Sequence, residues 1–138
     1  MSARTFTPAE ANSALVQVRP VAERMVELRE RLRELEGEQR DLVRTIAGNG
    51  SGFAVNDARG PEFKALAREL ERCLIELGAL GVLVKDVDLG LLDFPARRRG
   101  EDVLLCWHVG EESVTSWHGL DEGFAGRKPV DWGEEAGA

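Results

Sequence analysis

The feature that most constrains the fold is an apolar stripe in the first third of the chain, where apolar residues recur at alternating steps of three and four. The stripe consists of Ala11, Ala14, Val18, Val21, Met25, Leu28, Leu32, Leu35, Leu42 and Ile46, and only Gln39 interrupts it. This spacing matches the repeat of about 3.5 residues found in helices that pack side by side. It predicts one long helix from about Pro8 to Ala47.

The start of this helix carries a capping box. Thr7 can accept hydrogen bonds from the first free backbone N–H groups, Pro8 suits the first helical position, and Glu10 can reach back to Thr7. We therefore assign Glu10 a structural role. Pro20 is predicted to kink the helix without ending it, because the stripe keeps its phase across the proline.

A second stripe of the same spacing predicts a helix that starts near Asp57 or Arg59 and has Pro61 in its first turn. Its apolar residues are Phe63, Leu66, Leu70, Cys73, Leu77 and Leu80. The glycine-rich segment Gly48–Gly52 is predicted to be the loop that joins the two helices into an antiparallel hairpin. The first helix would span about 60 Å and the second about 30 Å. Half of the long stripe then lacks a helical partner, so we expect a homodimer through the long helix, with sheet contacts as well.

After Gly81 the periodicity changes to two, which is typical of strands. Short runs at residues 82–87, 91–94, 103–109 and 114–117 are separated by turn-forming residues. We therefore predict an α+β fold in which a long antiparallel two-helix hairpin packs on a small antiparallel β-meander of about four strands. The chain is expected to form a single domain over 1–138, with the hairpin at about 8–80, the sheet and tail at about 82–130, and a disordered acidic C-terminus at 131–138.

Composition and charge narrow the classes of partner. The chain has 138 residues, a formal net charge of -7 and 31% charged residues. A net negative charge disfavours a nucleic-acid partner, which needs clustered Lys and Arg. No apolar run approaches the roughly 20 residues of a membrane span, and the N-terminus lacks the apolar core of an export signal. We expect a cytoplasmic protein in which Cys73 and Cys106 stay reduced and behave as small hydrophobes.

The segment Trp117–Pro129 combines indole, imidazole, carboxylate and guanidinium groups with three glycines. We expect it to fold back beside the sheet and to form a pocket for a small-molecule ligand. The expected ligand-binding residues are Trp107, Trp117, His118, Asp121, Arg127, Lys85 and Asp93. The leading hypothesis is therefore a dimeric cytoplasmic binding or interaction protein.

Whether the two histidines share a face of the sheet depends on the loop between the third and fourth predicted strands. A two- or four-residue loop places His108 with Cys106 and Trp117, and puts His118 on the other face. A three-residue loop places both histidines on one face. It sets His118 opposite Leu104, which lies about 13 Å along the strand from His108. Neither register allows the two histidines to share a metal ion.

The alternative hypothesis is a divalent-metal-dependent enzyme of hydrolase type. His118, Asp121 and Glu122 are close enough in sequence to line one side of a turn, and Asp93 or Glu10 could complete the ligand set. This site is the expected location of a metal cofactor. A third hypothesis is that the protein acts as a scaffold through its helices.

In the enzyme hypothesis Asp86 or Glu112 transfers protons. A three-residue hairpin loop at Asp88–Gly90 would place Asp86 on a face with apolar neighbours, where desolvation raises the proton affinity of a carboxylate. The same loop sets Lys85 opposite Asp93. A two-residue loop would shift this register.

Several segments of the chain resemble one family. They are Phe6–Asn12, Gly81–Val82, Val84–Asp86, Gly90–Ala96, Leu105–Trp107, Gly110–Glu111, Trp117–His118 and Gly123–Pro129. Together they resemble the prokaryotic family known as domain of unknown function 2203, over nearly the whole chain and most specifically in the sheet half. The resemblance implies a stand-alone bacterial protein whose distinctive residues lie in the sheet and tail. It brings no assigned activity, cofactor or catalytic residue with it.

Overall fold

The computed structural model describes residues 4–48 and 60–132, and for residues 39–48 it describes the backbone alone. Two helices, α1 (Pro8–Gly48) and α2 (Gly60–Ala79), precede an antiparallel sheet. The sheet consists of β1 (Leu83–Asp86), β2 (Leu91–Arg98), β3 (Glu101–His108), β4 (Ser116–Gly119) and β5 (Lys128–Pro129), in that spatial order. The predicted α+β fold of a helical hairpin and a β-meander is confirmed, with five strands where about four were expected.

The start of α1 is the predicted capping box. The N–H of Thr7 donates to Oε1 of Glu10 at 2.8 Å, and the N–H of Glu10 donates to the hydroxyl of Thr7 at 3.1 Å. These bonds satisfy two backbone donors that the first turn leaves free. The helix then continues through Pro20 to Gly48 without a break.

The two helices pack antiparallel along their apolar stripes. Arg24 pairs with Glu69 at 2.9 Å and Arg31 pairs with Glu62 at 3.1 Å, so α2 runs back along α1. Cys73 and Leu77 are the buried side chains of the predicted second stripe. Across the described residues neither helix is sufficiently long and apolar to cross a membrane. The predicted Gly48–Gly52 loop beyond Gly48 and the predicted helix start at Asp57 or Arg59 lie outside the described residues.

The sheet packs on a second side of α1. Asn12 of α1 bonds both the N–H and the carbonyl of Val114 through its amide, at 2.6 and 3.2 Å. Leu15 and Ala22, which lie outside the predicted stripe, are buried as well. The buried surface of α1 is wider than the stripe because the helix contacts α2 and the sheet at once. A homodimer that covers the remainder of α1 stays a prediction.

Candidate functional site

The side chains of the sheet point to two faces, one packed on the helices and one directed away from them. We call these the helix face and the outer face. The helix face of β2 and β3 carries Leu92, Phe94, Leu105 and Trp107, all 0% exposed. The outer face of the same strands carries Asp93, Pro95, Leu104 and Cys106, because alternate residues of a strand point in opposite directions.

A two-residue turn fixes the register of β2 on β3. Arg99 and Gly100 have φ angles of 53° and 81°, the left-handed values of a hairpin turn that joins Arg98 directly to Glu101 across the strands. Counting back along the ladder from this turn, Asp93 lies opposite Cys106. The carboxylate and the thiol therefore stand side by side on the outer face.

His118 joins them from β4. His118 lies opposite Leu104, which is the register predicted for a three-residue loop between the third and fourth strands. Its ring is therefore on the outer face. The ligand atoms of Asp93, Cys106 and His118 lie within 4.8 Å of one another. These residues are 1%, 2% and 2% exposed. We call them the outer-face cluster, and it brings three metal-ligating side chains together in a buried environment.

The imidazole of His118 is oriented by its backbone. Its Nδ1 lies 2.8 Å from the carbonyl oxygen of Gly119, which can only accept, so Nδ1 carries a proton. Its Nε2 lies 3.1 Å from Oδ1 of Asp93. Two lone pairs at this distance repel, so a proton or another cation must lie between Nε2 and Oδ1.

The other groups of the cluster are poorly solvated. Burial raises the pKa of the Asp93 carboxyl above its ordinary value, against the opposing effects of His118, Lys85 and Cys106. Oδ2 of Asp93 is buried and has no hydrogen-bond partner among residues 4–48 and 60–132, and Nζ of Lys85 is 4.0 Å away. Burial also raises the pKa of the Cys106 thiol to about 11. Neither ring nitrogen of His118 is free to activate that thiol, so the arrangement does not fit a cysteine nucleophile with a histidine base.

The tail after β4 borders the cluster on the outer face. Nη2 of Arg127 contacts both carboxylate oxygens of Glu111, at 2.7 and 2.9 Å, and the carbonyl oxygen of Cys106 at 3.5 Å. The ring of Phe124 lies 6.2 Å from that of His108, and the guanidinium of Arg127 stacks on Phe124 at 4.6 Å. The tail thus places the guanidinium group of Arg127 close to Cys106.

Comparison with protein-family models places the chain among known sequences. The model of the uncharacterized conserved protein family DUF2203 matches residues 4–130. The chain belongs to DUF2203. No curated protein and no solved structure matches it. The features of this DUF2203 protein therefore have to be interpreted from its own geometry.

The expected single pocket is divided between the two faces of the DUF2203 sheet. Trp107 is fully buried on the helix face, where its Nε1 donates to the carbonyl of Glu111 at 3.1 Å. Trp117 lies opposite Leu105 and stacks edge-on against Trp132 at 5.8 Å, so it also belongs to the helix face. Strand alternation separates both indoles from His118. Trp132, in the segment expected to be disordered, is 4% exposed; residues 133–138 lie outside the described residues.

Three of the four acidic partners predicted for His118 do not contact its ring. Asp121 is exposed, and Glu122 accepts the N–H of Gly119 at 2.8 Å and pairs with Lys128 at 2.5 Å. Glu10 is engaged in the start of α1. Of the carboxylates considered from sequence, only Asp93 contacts the ring of His118. Asp93 belongs to β2, which is separated from β4 by β3 in the sheet, whereas Asp121 and Glu122 belong to the turn after β4.

The predicted register of β1 on β2 is corrected by a β-bulge. Leu83, not Lys85, lies opposite Asp93, and an irregularity between Val84 and Asp86 shifts the ladder. Lys85 still reaches the outer face, with its Nζ near Asp93. The carboxylate of Asp86 accepts the N–H of Leu89 at 3.0 Å and so stabilises the turn.

Proton transfer by Asp86 or Glu112 stays a prediction. Asp86 is half-buried at the end of β1. Glu112 is exposed in the loop between β3 and β4, and its carbonyl oxygen accepts a hydrogen bond from Arg19 at 2.6 Å.

Sequence reasoning treated Cys106 as a small hydrophobe and did not place it beside Asp93 and His118. Two signals point to it. The Arg99-Gly100 pair favours a two-residue hairpin, and a turn centred on this pair sets Asp93 opposite Cys106. The unbroken apolar run Val103–Trp107 is typical of a strand buried on both faces, so the outer face had to be covered at Cys106.

Proposed function

We propose that this DUF2203 protein binds a divalent transition-metal ion of the zinc class through Asp93, Cys106 and His118. The observation that carries the proposal is the contact between Nε2 of His118 and Oδ1 of Asp93 at 3.1 Å, with the thiol of Cys106 beside it. Nδ1 already donates to Gly119, so Nε2 presents its lone pair to the cluster once the shared proton leaves. Such a carbonyl bond is the usual way in which a ligating histidine is held in place.

The distances support tetrahedral coordination. With metal–oxygen and metal–nitrogen bonds of about 2.0 Å, two ligand atoms at tetrahedral angles lie about 3.3 Å apart. Nε2 and Oδ1 are 3.1 Å apart, and the sulfur is within 4.8 Å of both. Shifts of about an ångström, which side-chain rotation supplies, would close the site around an ion.

The ligand types indicate which ions are preferred. A thiolate and an imidazole are soft or borderline ligands that favour zinc, cobalt or nickel over magnesium and calcium, which prefer oxygen. Three protein ligands leave a fourth tetrahedral position open, as in catalytic zinc sites. A water molecule at that position would supply hydroxide near neutral pH, so metal-dependent hydrolysis is the chemistry that the site favours if the protein is an enzyme.

The unbonded oxygen of Asp93 fits the same proposal. Oδ2 is buried and receives no hydrogen bond from the described part of the chain, an arrangement that costs about 1–3 kcal/mol if nothing compensates it. A metal ion bound to the carboxylate would neutralise its charge. The same ion would replace the proton on Cys106 and turn the thiol into a thiolate, because metal binding is coupled to loss of ligand protons.

The test is a metal titration of chelator-treated protein with Zn²⁺ and with Co²⁺. The wild-type chain should bind one equivalent of zinc, and its cobalt form should show the near-ultraviolet absorption of a thiolate–cobalt bond. Cys106→Ser should abolish that absorption and His118→Ala should abolish stoichiometric binding. Cys73→Ser is the matched control, since Cys73 is also a buried thiol but lies on α2.

Two further variants separate this site from the one predicted in the tail. Asp121→Asn and Glu122→Gln should leave zinc binding unchanged, since Asp121 is exposed and the carboxylate of Glu122 is bonded to Gly119 and Lys128. Stoichiometric zinc that survives Cys106→Ser and His118→Ala, with circular dichroism showing folded protein, would overturn the proposal. So would the absence of zinc binding by the folded wild-type protein.

A further inference from the structure

A second feature of the outer face lies directly beside the cluster. It is a cleft of about 420 Å³ whose apolar lining includes Leu83, Pro95, Leu104 and Leu120. We call it the outer cleft. Leu83 is 47% exposed and Leu120 58% exposed, so two large apolar side chains stand at its walls in contact with solvent.

The strand register connects the cleft to the cluster. Leu104 lies opposite His118 and Leu83 lies opposite Asp93. Pro95 follows Asp93 on the same face of β2, about 7 Å further along. Residues that line the cleft are therefore the immediate cross-strand neighbours of two of the side chains that we propose as metal ligands.

The far end of the cleft is polar. Arg97 and Asp102 line it and pair with each other at 2.8 Å. Arg97 lies four residues from Asp93 along β2, a distance of about 13 Å. The cleft thus has an apolar lining, with the cluster next to Leu83 and Leu104 on one side and the ion pair of Arg97 and Asp102 on the other.

The charges around the cluster favour an anionic group. A divalent ion with Asp93, a Cys106 thiolate and neutral His118 carries no net charge. Nζ of Lys85 lies 4.0 Å from Asp93, and the guanidinium of Arg127 borders Cys106. Glu111 pairs with Arg127 and Glu122 pairs with Lys128, so Lys85 leaves an excess positive charge among the described groups around the open coordination position.

We infer that the outer cleft binds a small aliphatic carboxylate, whose head group takes the open metal position and whose alkyl chain lies over Pro95 and Leu104. This inference rests on the proposed metal site, and it adds the ligand class. Apolar walls next to a few convergent polar groups are the usual composition of small-molecule sites. Leu83 and Leu120 become buried when the alkyl chain of the ligand binds, and this burial adds affinity to that of the head group.

The experiment is a calorimetric titration of zinc-loaded protein with octanoate and, separately, with acetate. Octanoate should bind at least tenfold more tightly than acetate, because each buried methylene contributes about a fourfold gain in affinity. Zinc-free protein should bind octanoate at least tenfold more weakly than the zinc-loaded form. Zinc content is measured in every sample, so that a change in ligand affinity is not confused with loss of metal.

Two variants locate the alkyl chain. Leu120→Asp should weaken octanoate binding at least tenfold and leave zinc binding intact, because it places a charge at the exposed wall of the cleft. Val16→Asp is the matched control and should change neither affinity, since Val16 is 80% exposed on α1.

A third variant tests where the head group lies. Arg97→Gln should weaken octanoate binding less than the removal of zinc does. If Arg97→Gln removes binding while removal of zinc does not, the carboxylate lies at the wrong end of the cleft and the inference is overturned. Equal affinities for octanoate and acetate in the zinc-loaded protein would overturn it as well, with the metal site intact. Absence of zinc binding would instead overturn the proposed function, and this inference with it.

Discussion

The buried pair of Asp93 and His118 should affect the stability of the fold in a non-additive way. Each residue is at most 2% exposed, and their contact at 3.1 Å is the charged or proton-sharing centre of the outer face. Removing one partner of a buried polar pair leaves the other uncompensated, whereas replacing both by apolar groups is often neutral or stabilising. We therefore expect the two single variants to be less stable than the double variant.

Valine is the chosen replacement because it suits strand positions, and two valines occupy a volume close to that of the pair. His118→Val leaves the buried carboxylate of Asp93 without its histidine partner and should cost about 3–5 kcal/mol of unfolding free energy. Asp93→Val leaves an imidazole that keeps its bond to Gly119, so it should cost about 1–3 kcal/mol of unfolding free energy. The double variant should lie within about 1 kcal/mol of the wild type or above it.

The assay is urea unfolding of the four proteins in the presence of a chelator, which yields the coupling energy of the pair. A coupling of at least about 3 kcal/mol is expected from the values above. The exposed pair of Arg97 and Asp102, whose side chains are 53% and 59% exposed, is the control and should show less than about 1 kcal/mol. If the costs of the two valine substitutions add within about 0.5 kcal/mol, the pair is not coupled and the reasoning is refuted.

Three other measurements test packing, an ion pair and thiol burial elsewhere in the structure. Gly90→Ala should lower the free energy of unfolding by about 2–4 kcal/mol, and Gly100→Ala by about 1 kcal/mol, as measured by thermal unfolding. Both glycines have a positive φ, but a Cβ on Gly90 would lie 2.7 Å from the side chain of Val109. Equal losses would contradict this packing. A lysine ammonium and a backbone N–H lower the pKa of Glu122 from its ordinary 4.5, so its contribution to stability is present above that pH and is lost as the pH falls. Glu122→Gln should flatten the acid side of the melting-temperature profile, and an unchanged profile would count against the contact. Burial raises the pKa of both Cys106 and Cys73, so neither thiol should react with Ellman's reagent at about pH 8 until the protein is denatured.

The helical half of the fold could be predicted because its spacing is a local property of the chain. The capping box at Thr7 and Glu10 and the apolar stripe specify where α1 begins and which side is buried. The burial of Leu15 could not be read from the stripe. It depends on the sheet, which arrives from residues far along the chain and covers a second side of the helix.

The candidate site was harder to predict because it depends on strand parity. A change of one residue in a loop moves a whole strand to the other face, so the length of the loop before β4 decides whether His118 meets Asp93 or joins Trp107 in the core. The hydrophobic pattern did not settle this choice, since β3 is buried on both faces from Val103 to Trp107. Asp121 and Glu122 were close to His118 in sequence, but the partner that reaches it is supplied by β2.

The route to the cluster follows from how its surroundings are held. On the tail side, Arg127 bonds both oxygens of Glu111, and Glu111 in turn accepts the N–H of His108 at 2.7 Å. Opening that side would break several charge-assisted hydrogen bonds in a partly buried setting, each worth about 1.5–3 kcal/mol. On the cleft side, Leu83 and Leu120 are exposed and can change rotamer without breaking a hydrogen bond. The less costly path for an ion or a ligand is therefore through the outer cleft, which is the same surface that the inferred alkyl chain would occupy.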